Sequence, residues 1–275
     1  MRVCRTIAEV REARGDIEHL GLVPTMGFLH EGHLSLVRKA RAECGAVAVS
    51  IFVNPTQFGP NEDFSHYPRD MERELRLLEA EGVDIVFTPE PAEIYPDGFA
   101  TGIEVGPIAG VLEGAVRPGH FSGVATVVTK LFNIVQPTAA YFGQKDAQQC
   151  AVIRQVVRDL DLPVAIRIEP TVREADGLAM SSRNVYLDKA QREEALVVYR
   201  ALRAAAAAFE TGETDAGVLR AAMHGALSGQ TVDYASVADP DTLAELDVAR
   251  PGAIVSTAVR FGPTRLIDNI VLGEG

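Results

Sequence analysis

The chain is poor in cysteine, poorer relative to its charge in lysine, and without a long apolar run. Its 275 residues hold three cysteines, Cys4, Cys44 and Cys150. This odd, widely spaced set fits neither a disulfide framework nor a Cys-x-x-Cys metal site, and it suits a reducing cytoplasm. No stretch approaches the roughly 18 apolar residues of a membrane-spanning helix. The opening MRVCRTIAEVREARGD alternates charged and apolar residues where a secretory leader carries an apolar block. A soluble, cytoplasmic protein is therefore expected. Positive charge is also short: 26 basic against 38 acidic side chains leave a net charge of -12. That balance excludes a general nucleic-acid or membrane-surface binder, though not a local anion pocket. Only four of the basic residues are lysines, at 39, 130, 145 and 189, so each can be weighed singly. Neither G-x-x-x-x-G-K-[ST] nor an internal G-x-G-x-x-G occurs, and any phosphate must be held by another device.

What is present is the composition of an ordinary globular chain, 47% apolar and 23% charged, able to close a core without staples. Leu20 to Pro24 reads as a strand, His33 to Cys44 as a helix stopped by Gly45, and Ala46 to Val53 as a strand covered on both faces. Arg69 to Glu81 sets Met71, Leu75 and Leu78 on one helical face, and Val83 to Phe87 is the next strand. Val124, Val127, Val128, Leu131 and Val135 stripe a further helix; Ala139 to Phe142, Asp146 to Leu160 and Pro163 to Ile168 continue as strand, helix and strand. This alternation predicts a Rossmann-like α/β fold, a doubly wound parallel sheet whose ligands lie beyond the carboxyl ends of its strands. Past residue 172 the texture changes. Asp188 with Gln191 forms a capping-box pattern ahead of an Ala-rich helix through Phe209, and Asp215 caps a second helix. Val232 to Val237, Ala253 to Phe261 and Leu266 to Leu272 then follow as strands without long helices between them. A main domain over residues 1–172 and a smaller α+β domain over 173–275 are expected, the latter carrying a serine loop that closes over the site.

The segment PTMGFLHEGH, Pro24 to His33, follows the first strand and runs into a helix N-terminus, where amide N–H groups and the helix dipole attract phosphate. His30 and His33 stand there as donors able to stabilise charge growing in a transition state, and Gly32 lets the backbone approach a ligand. A metal site or a plain helix start is the alternative for a His pair at this spacing. AMSSRN, Ala179 to Asn184, offers Ser181, Ser182 and Arg183 as a triphosphate clamp, against a solvated turn or helix entry. FGQKD, Phe142 to Asp146, sets Lys145 at a strand-to-helix junction, with Asp146 to cap the helix or bond a ribose. Asn54 and Gln57 present amides to a hydroxylated substrate. Of the pair that opens the following helix, Gln149 is expected to face the crevice and Gln148 the solvent. RPGHFSG, Arg117 to Gly123, is expected as a lid or an interface loop.

VPTMGFLHEGH, SIFVNPTQF, RPGHFSGVATVVTKLFNIVQP, FGQKDAQQ and DGLAMSSRNVYL, in this order and at these intervals, resemble the pantothenate synthetase family. The likeness is strongest from 20 to 187 and continues in the weaker VRFGPTRLIDNI. It implies an enzyme of the nucleotidyltransferase superfamily that joins (R)-pantoate to β-alanine with ATP and Mg2+. The products are pantothenate, AMP and pyrophosphate, the intermediate is a pantoyl adenylate, and the assembly is typically a cytoplasmic homodimer. Residue by residue, it implies that Met26, Gly27, Phe28, Leu29, His30, Glu31, Gly32 and His33 form the ATP loop, with His33 as proton donor. Gly143, Gln144, Lys145, Asp146, Val172, Met180, Ser181, Ser182 and Arg183 complete the ATP site. Gln57 and Gln149 hold pantoate, with Asn54 read beside them. His30, His33, Lys145 and Arg183 are the expected catalytic charges and donors. Gln144 stands where Glu is usual, Ala147 where an aromatic or acidic residue is usual, and DMERE over 70–74 where some relatives carry an acidic cluster near the metal. The protein ligand of Mg2+ is left open, with Glu72 and Glu74 as candidates.

The rivals make different demands on the same residues. Another adenylyltransferase of this superfamily, acting on a phosphorylated substrate, needs a basic pocket where this chain offers amides. A nucleotide-binding regulator without turnover has no need to keep His30, His33, Lys145 and Arg183 together. A tRNA-charging enzyme is disfavoured by the net charge and by the lack of a basic extension.

Overall fold

In the computed structural model, which describes residues 1–60 and 62–273, the chain opens with a short strand, β1 (Arg2–Cys4), and a helix, α1 (Ile7–Arg14). Thr6 caps α1, with Glu9 returning a bond to the cap backbone. There follow β2 (Leu20–Thr25), α2 (Glu31–Cys44), β3 (Ala46–Ile51), α3 (Met71–Ala80) and β4 (Ile85–Phe87). Single-turn α4 (Pro91–Ile94) and α5 (Glu113–Val116) precede α6 (His120–Val135), β5 (Ala139–Gly143), α7 (Ala147–Asp159) and β6 (Ala165–Glu169).

These six strands form one parallel sheet in the order β1-β4-β3-β2-β5-β6. The chain lays β3 and β4 on one side of β2, then crosses to lay β5 and β6 on the other. The order therefore reverses between β2 and β5, and the connections leaving their carboxyl ends flank the switch point where such sheets bind ligands. Unbroken apolar runs make this sheet: Leu20, Leu22, Val23, Val47 and Val49 of β2 and β3 are wholly buried. Each such burial is worth about 1.5–3 kcal/mol relative to exposure.

The later part holds α8 (Lys189–Glu194), α9 (Leu196–Glu210), α10 (Ala216–Ala226) and an antiparallel sheet of β7 (Thr231–Ala238), β8 (Ile254–Phe261) and β9 (Thr264–Val271). Its core gathers Leu202, Leu219, Met223, Val255 and Phe261. The expected capping box is present: Gln191 N–H donates to Asp188 at 2.9 Å and Asp188 N–H to Gln191 at 3.1 Å. The helix expected to run on to Phe209 is divided at Ala195, because the Val198 N–H bonds the Ala195 carbonyl at 3.1 Å in the tighter i to i+3 manner. Asp215 caps α10 through Gly217 N–H at 2.7 Å and Val218 N–H at 3.3 Å.

Two compact units result, 1–143 with 152–169, and 144–151 with 170 onward. The second unit resumes close to the expected boundary at 172. It also takes in Gln144–Ala151, which the strand and helix spacing assigns to the first domain. The reason is local: Asn269 of β9 bonds the backbone of Gln144 and Lys145.

Candidate active site

The connection out of β2 is built on backbone conformations that need partners. Gly27 has φ +88°, and a Cβ there would lie 3.0 and 3.1 Å from the Glu74 carboxylate oxygens, so glycine is required on both counts. Phe28 is left-handed at φ +50°, and its N–H donates to Glu74 Oε1. Glu74, in α3, is 1% exposed. Burial pushes its carboxyl above the usual range, and the Phe28 N–H pulls it partly back. From the same helix Arg73 donates to the Leu29 carbonyl at 2.9 Å and lies 5.8 Å over the Phe28 ring. Leu29 points into the core.

The loop then enters α2 two residues earlier than the periodicity indicates, because an imidazole is the cap. His30 Nδ1 accepts the Gly32 N–H at 3.2 Å, and His33 Nδ1 accepts the His30 N–H at 3.3 Å. The two rings lie 4.1 Å apart. With Nδ1 accepting in both, each neutral ring carries its proton on Nε2, and the pair caps the helix at its positive end. Glu31 is held by Arg38 at 2.6 and 3.0 Å.

Beyond β3, Asn54 caps a turn over Pro55–Gln57. Its carbonyl accepts from Tyr95 OH at 2.8 Å and Thr56 Oγ1 at 3.0 Å; its amide donates to Gln57 Oε1 at 3.0 Å and to the Gly123 carbonyl at 3.2 Å. Gln57, 8% exposed, donates to Met26 Sδ at 3.1 Å. Asn54 and Gln57 thus stand beside the loop that carries His30 and His33. A Cβ at Gly123 would come within 2.5 Å of the Thr56 carbonyl, which is why α6 passes the turn on a glycine.

RPGHFSG, expected as a lid or interface loop, is tied to this turn. His120 Nδ1–H donates to the Gln57 carbonyl at 2.8 Å, and His120 Nε2 takes a bond from Arg117 at 3.1 Å. Arg117 forks onto Glu62 at 2.7 Å through Nε and again at 2.7 Å through Nη2. Burial, then the Arg117 charge, push His120 down to about 4. A cation donating into Nε2 leaves no place there for a proton.

The second unit carries the other candidates. Gln144–Asp146 forms a short 3-10 turn after β5, whose last residue is Gly143, and Lys145 Nζ lies 3.5 Å from Asp146. Val172 and Met180 face each other in a hairpin, Met180 N–H donating to the Val172 carbonyl at 3.0 Å and Arg173 bridging Ala179. The hairpin delivers Ser181 as the cap of a 3-10 turn over Ser182–Tyr186, its Oγ accepting the Arg183 N–H at 3.3 Å. Asn184 braces the turn through the Ala179 carbonyl at 3.1 Å and Glu174 at 3.2 Å. MSSR is thus an ordered helix entry. Gln149 is partly exposed, whereas Gln148, expected to face solvent, is 6% exposed. It shares a face of α7 with Ala151 and Val152, three and four residues on, both buried.

Among the described residues no group of three or more His, Cys, Asp or Glu side chains is placed to hold a metal. Glu72 is exposed and paired with Arg76 at 2.5 Å, and Glu74 is occupied by the Phe28 amide. Sequence reasoning left Glu74 as a metal candidate and passed over Arg73, Tyr95 and Glu62. For Glu74 a signal was available: it precedes buried Leu78 by four residues, so the helical period puts an acid on the inner face.

Comparison with known proteins places the chain in one family. The sequence profile of the pantoate-beta-alanine ligase family matches residues 2–271. The pantothenate synthetase of Chloroflexus aurantiacus is 63% identical over 280 residues, covering all of both chains, and that of Gluconobacter oxydans is 56% identical over 275, covering 99% of this chain and all of its own. The crystal structure of pantothenate synthetase from Thermus thermophilus superposes with a TM-score of 0.95 at 51% identity, covering 98% of this chain and 99% of that one. The pantoate-beta-alanine ligase of Francisella tularensis, complexed with beta-gamma ATP and beta-alanine, gives 0.82 at 37%, covering all of this chain and 99% of its own. The imidazole-capped helix, the amide turn and the serine loop thus occur in a chain that belongs to the pantoate-beta-alanine ligase family.

Proposed function

We propose that this chain joins (R)-pantoate to β-alanine at the expense of ATP, in two displacements. A pantoate carboxylate oxygen attacks the α-phosphorus, the bond to the bridging oxygen of the β-phosphate breaks, and pyrophosphate leaves with the electron pair. The neutral amine of β-alanine then attacks the acyl carbon, the bond to AMP breaks with the electron pair leaving on the AMP phosphate, and the amine gives up one proton to solvent as the amide forms. No protein side chain becomes covalently attached. Catalysis is positioning together with electrostatic stabilisation of the transferring phosphorus. Family membership over the whole chain supports the substrates, and the solved Francisella ligase supports ATP and β-alanine.

The observation that carries the reading is the reciprocal cap of α2. His30 and His33 each use Nδ1 on the backbone, which fixes the Nε2–H tautomer of two rings at the end of a helix that already favours anions. On this reading Met26–His33 hold the phosphates from the first unit, with His33 donating a hydrogen bond from Nε2 to the leaving pyrophosphate. From the second, Lys145 and Arg183 neutralise phosphate charge and Ser181 and Ser182 donate to phosphate oxygens; a hydroxyl that accepts, as Ser181 does, still has its own hydrogen to give. Gly143, Gln144, Asp146, Val172 and Met180 line the nucleotide. Gln57, Gln149 and Asn54 bind pantoate, their amides matching hydroxyls and a carboxylate.

Mg2+ neutralises phosphate charge when bound. The absence of an acidic cage among the described residues fits an ion held mainly by ATP oxygens and water, the usual arrangement for this hard, reluctantly dehydrated cation. Resemblance to the family supports a cytoplasmic homodimer, and the free thiols Cys4, Cys44 and Cys150 suit a reducing compartment. No helix among the described residues is long and apolar enough to cross a membrane.

AMP formation from ATP, pantoate and β-alanine tests the reading, with each substrate omitted in turn. AMP must depend on all of them. AMP formed at an equal rate without pantoate would overturn it.

A further inference from the structure

One motif of the sequence is not used by the reaction: VRFGPTRLIDNI, near the end of the chain. In it, adjacent residues of β9 are polar and buried, Asp268 and Asn269, each 3% exposed. Strand neighbours point to opposite faces, so each serves a different segment. Asn269 Nδ2 donates to the Gln144 carbonyl at 2.9 Å and the Lys145 carbonyl at 2.8 Å, and Gln144 Nε2 donates to Asn269 Oδ1 at 3.1 Å. The carbonyls can only accept, which orients the Asn269 amide without ambiguity and uses both of its hydrogens. Gln144, where a Glu is usual, completes the ring with an N–H that a glutamate lacks.

Asp268 takes the fork of Arg173 at 2.6 and 3.1 Å. Arg173 also donates to the Gly177 carbonyl and the Asn269 carbonyl, each at 3.2 Å, and stacks 4.1 Å over Tyr199. Arg173 opens the hairpin whose returning strand, Ala179 and Met180, runs directly into Ser181–Arg183. Adjacent residues of one strand therefore hold the Gln144–Lys145 backbone and the base of the serine loop, all within the second unit.

We propose that Asp268 and Asn269 are positioning residues for the nucleotide, fixing the Lys145 turn and the Ser181–Arg183 loop at one spacing without touching ATP. This rests on the functional reading above. The small antiparallel sheet thereby gains a role, since β8, itself paired with β7, pins β9, and β9 sets the ligand-bearing segments. A displacement of about 1 Å at such a segment costs on the order of 100-fold in rate.

The test is a double-mutant cycle on the full chain, reading kcat/KM for ATP, the ATP dissociation constant by calorimetry, and the thermal midpoint. Asn269→Ala is expected to lower kcat/KM for ATP by about 10-fold to 100-fold and to leave the pantoate KM within about twofold. In a Lys145→Ala background the same change should cost less than about twofold more, because the group it positions is gone. Asp268→Asn should couple in the same way to Arg183→Ala. If Asn269→Ala fails to fold, Asn269→Ser, which keeps a shorter donor, enters the same cycle. Equal fractional losses in both backgrounds, or a pantoate KM that rises as far as the ATP KM, would overturn the proposal and leave Asn269 a structural residue. A wild-type chain that binds ATP but makes no AMP defeats the functional reading alone, and the cycle is then read on the ATP dissociation constant.

Discussion

The backbone turns assigned to ATP in the first and second units are held by opposite chemistry. At Phe28 a left-handed residue leaves an amide N–H in a buried place, and its partner is a carboxylate, Glu74. At Gln144 and Lys145 the turn leaves carbonyl oxygens, and their partner is the side-chain amide of Asn269. The polarity of the orphaned backbone group selects the side chain. An N–H needs an acceptor, and a carboxylate supplies one. Adjacent carbonyls need paired hydrogens, which a primary amide brings without setting a further cation beside Lys145. In each region the side chain that does the holding comes from another element, α3 or β9, so these candidate loops owe their shape to residues far along the chain.

The largest expected effect asks whether the two regions act on the same ligand. His33→Ala in the first and Lys145→Ala in the second should each lower kcat/KM by on the order of 100-fold or more, with little change in thermal midpoint. A loss in one alone would mean that the other region is not at the phosphates.

Acid probes the first region separately. His120 is held at about 4 in the fold against an ordinary 6.5. Between those values the unfolded chain binds a proton that the folded chain refuses. Stability is therefore complete above pH 6.5 and falls as the pH drops toward 4, by roughly 2 to 3 kcal/mol from this group. Urea midpoints across that window should fall less steeply for His120→Asn, which keeps a donor toward Gln57, than for the wild type. Parallel slopes would remove the neutral histidine from the account.

Glu74→Ala, which strands the Phe28 N–H, should cost about 2 kcal/mol of unfolding free energy and weaken ATP binding, whereas Glu74→Gln should cost less than half as much. Equal losses would point to the charge rather than the bond. The smallest effect concerns substrate choice: Gln57→Ala should raise the pantoate KM about tenfold while the ATP dissociation constant moves less than about threefold. Loss of ATP binding in a folded Gln57→Ala protein would move Gln57 into the nucleotide site.

Much of this architecture was legible in local pattern. The β2–α2–β3–α3–β4 alternation follows from unbroken apolar strands and a helical spacing of Leu75 and Leu78, although Met71, expected on the same face, is 42% exposed at the start of α3; Asp188 and Asp215 announce their helices by cap chemistry alone. What escaped depended on contacts distant in sequence. β1 is short, and only its pairing with β4 makes it a strand. The helix break at Ala195 lies in a run of good helix formers that give no local warning. Gln148 and Glu74 look like surface residues by type, and their burial follows from which helical face packs inward. His30, His33, Lys145 and Ser181 could be singled out as candidates because small residues and helix starts mark such loops. The residues that hold the loops, Glu74, His120 and Asn269, were not singled out for that role, since nothing near them in the chain shows what they bond.

Pyrophosphate release in a single turnover, followed by rapid quench with ATP and pantoate but no β-alanine, tests the two-step ligation most directly. One equivalent of pyrophosphate per site should appear while AMP waits for β-alanine. Pyrophosphate that appears only once β-alanine is added would contradict an adenylate formed ahead of the amide.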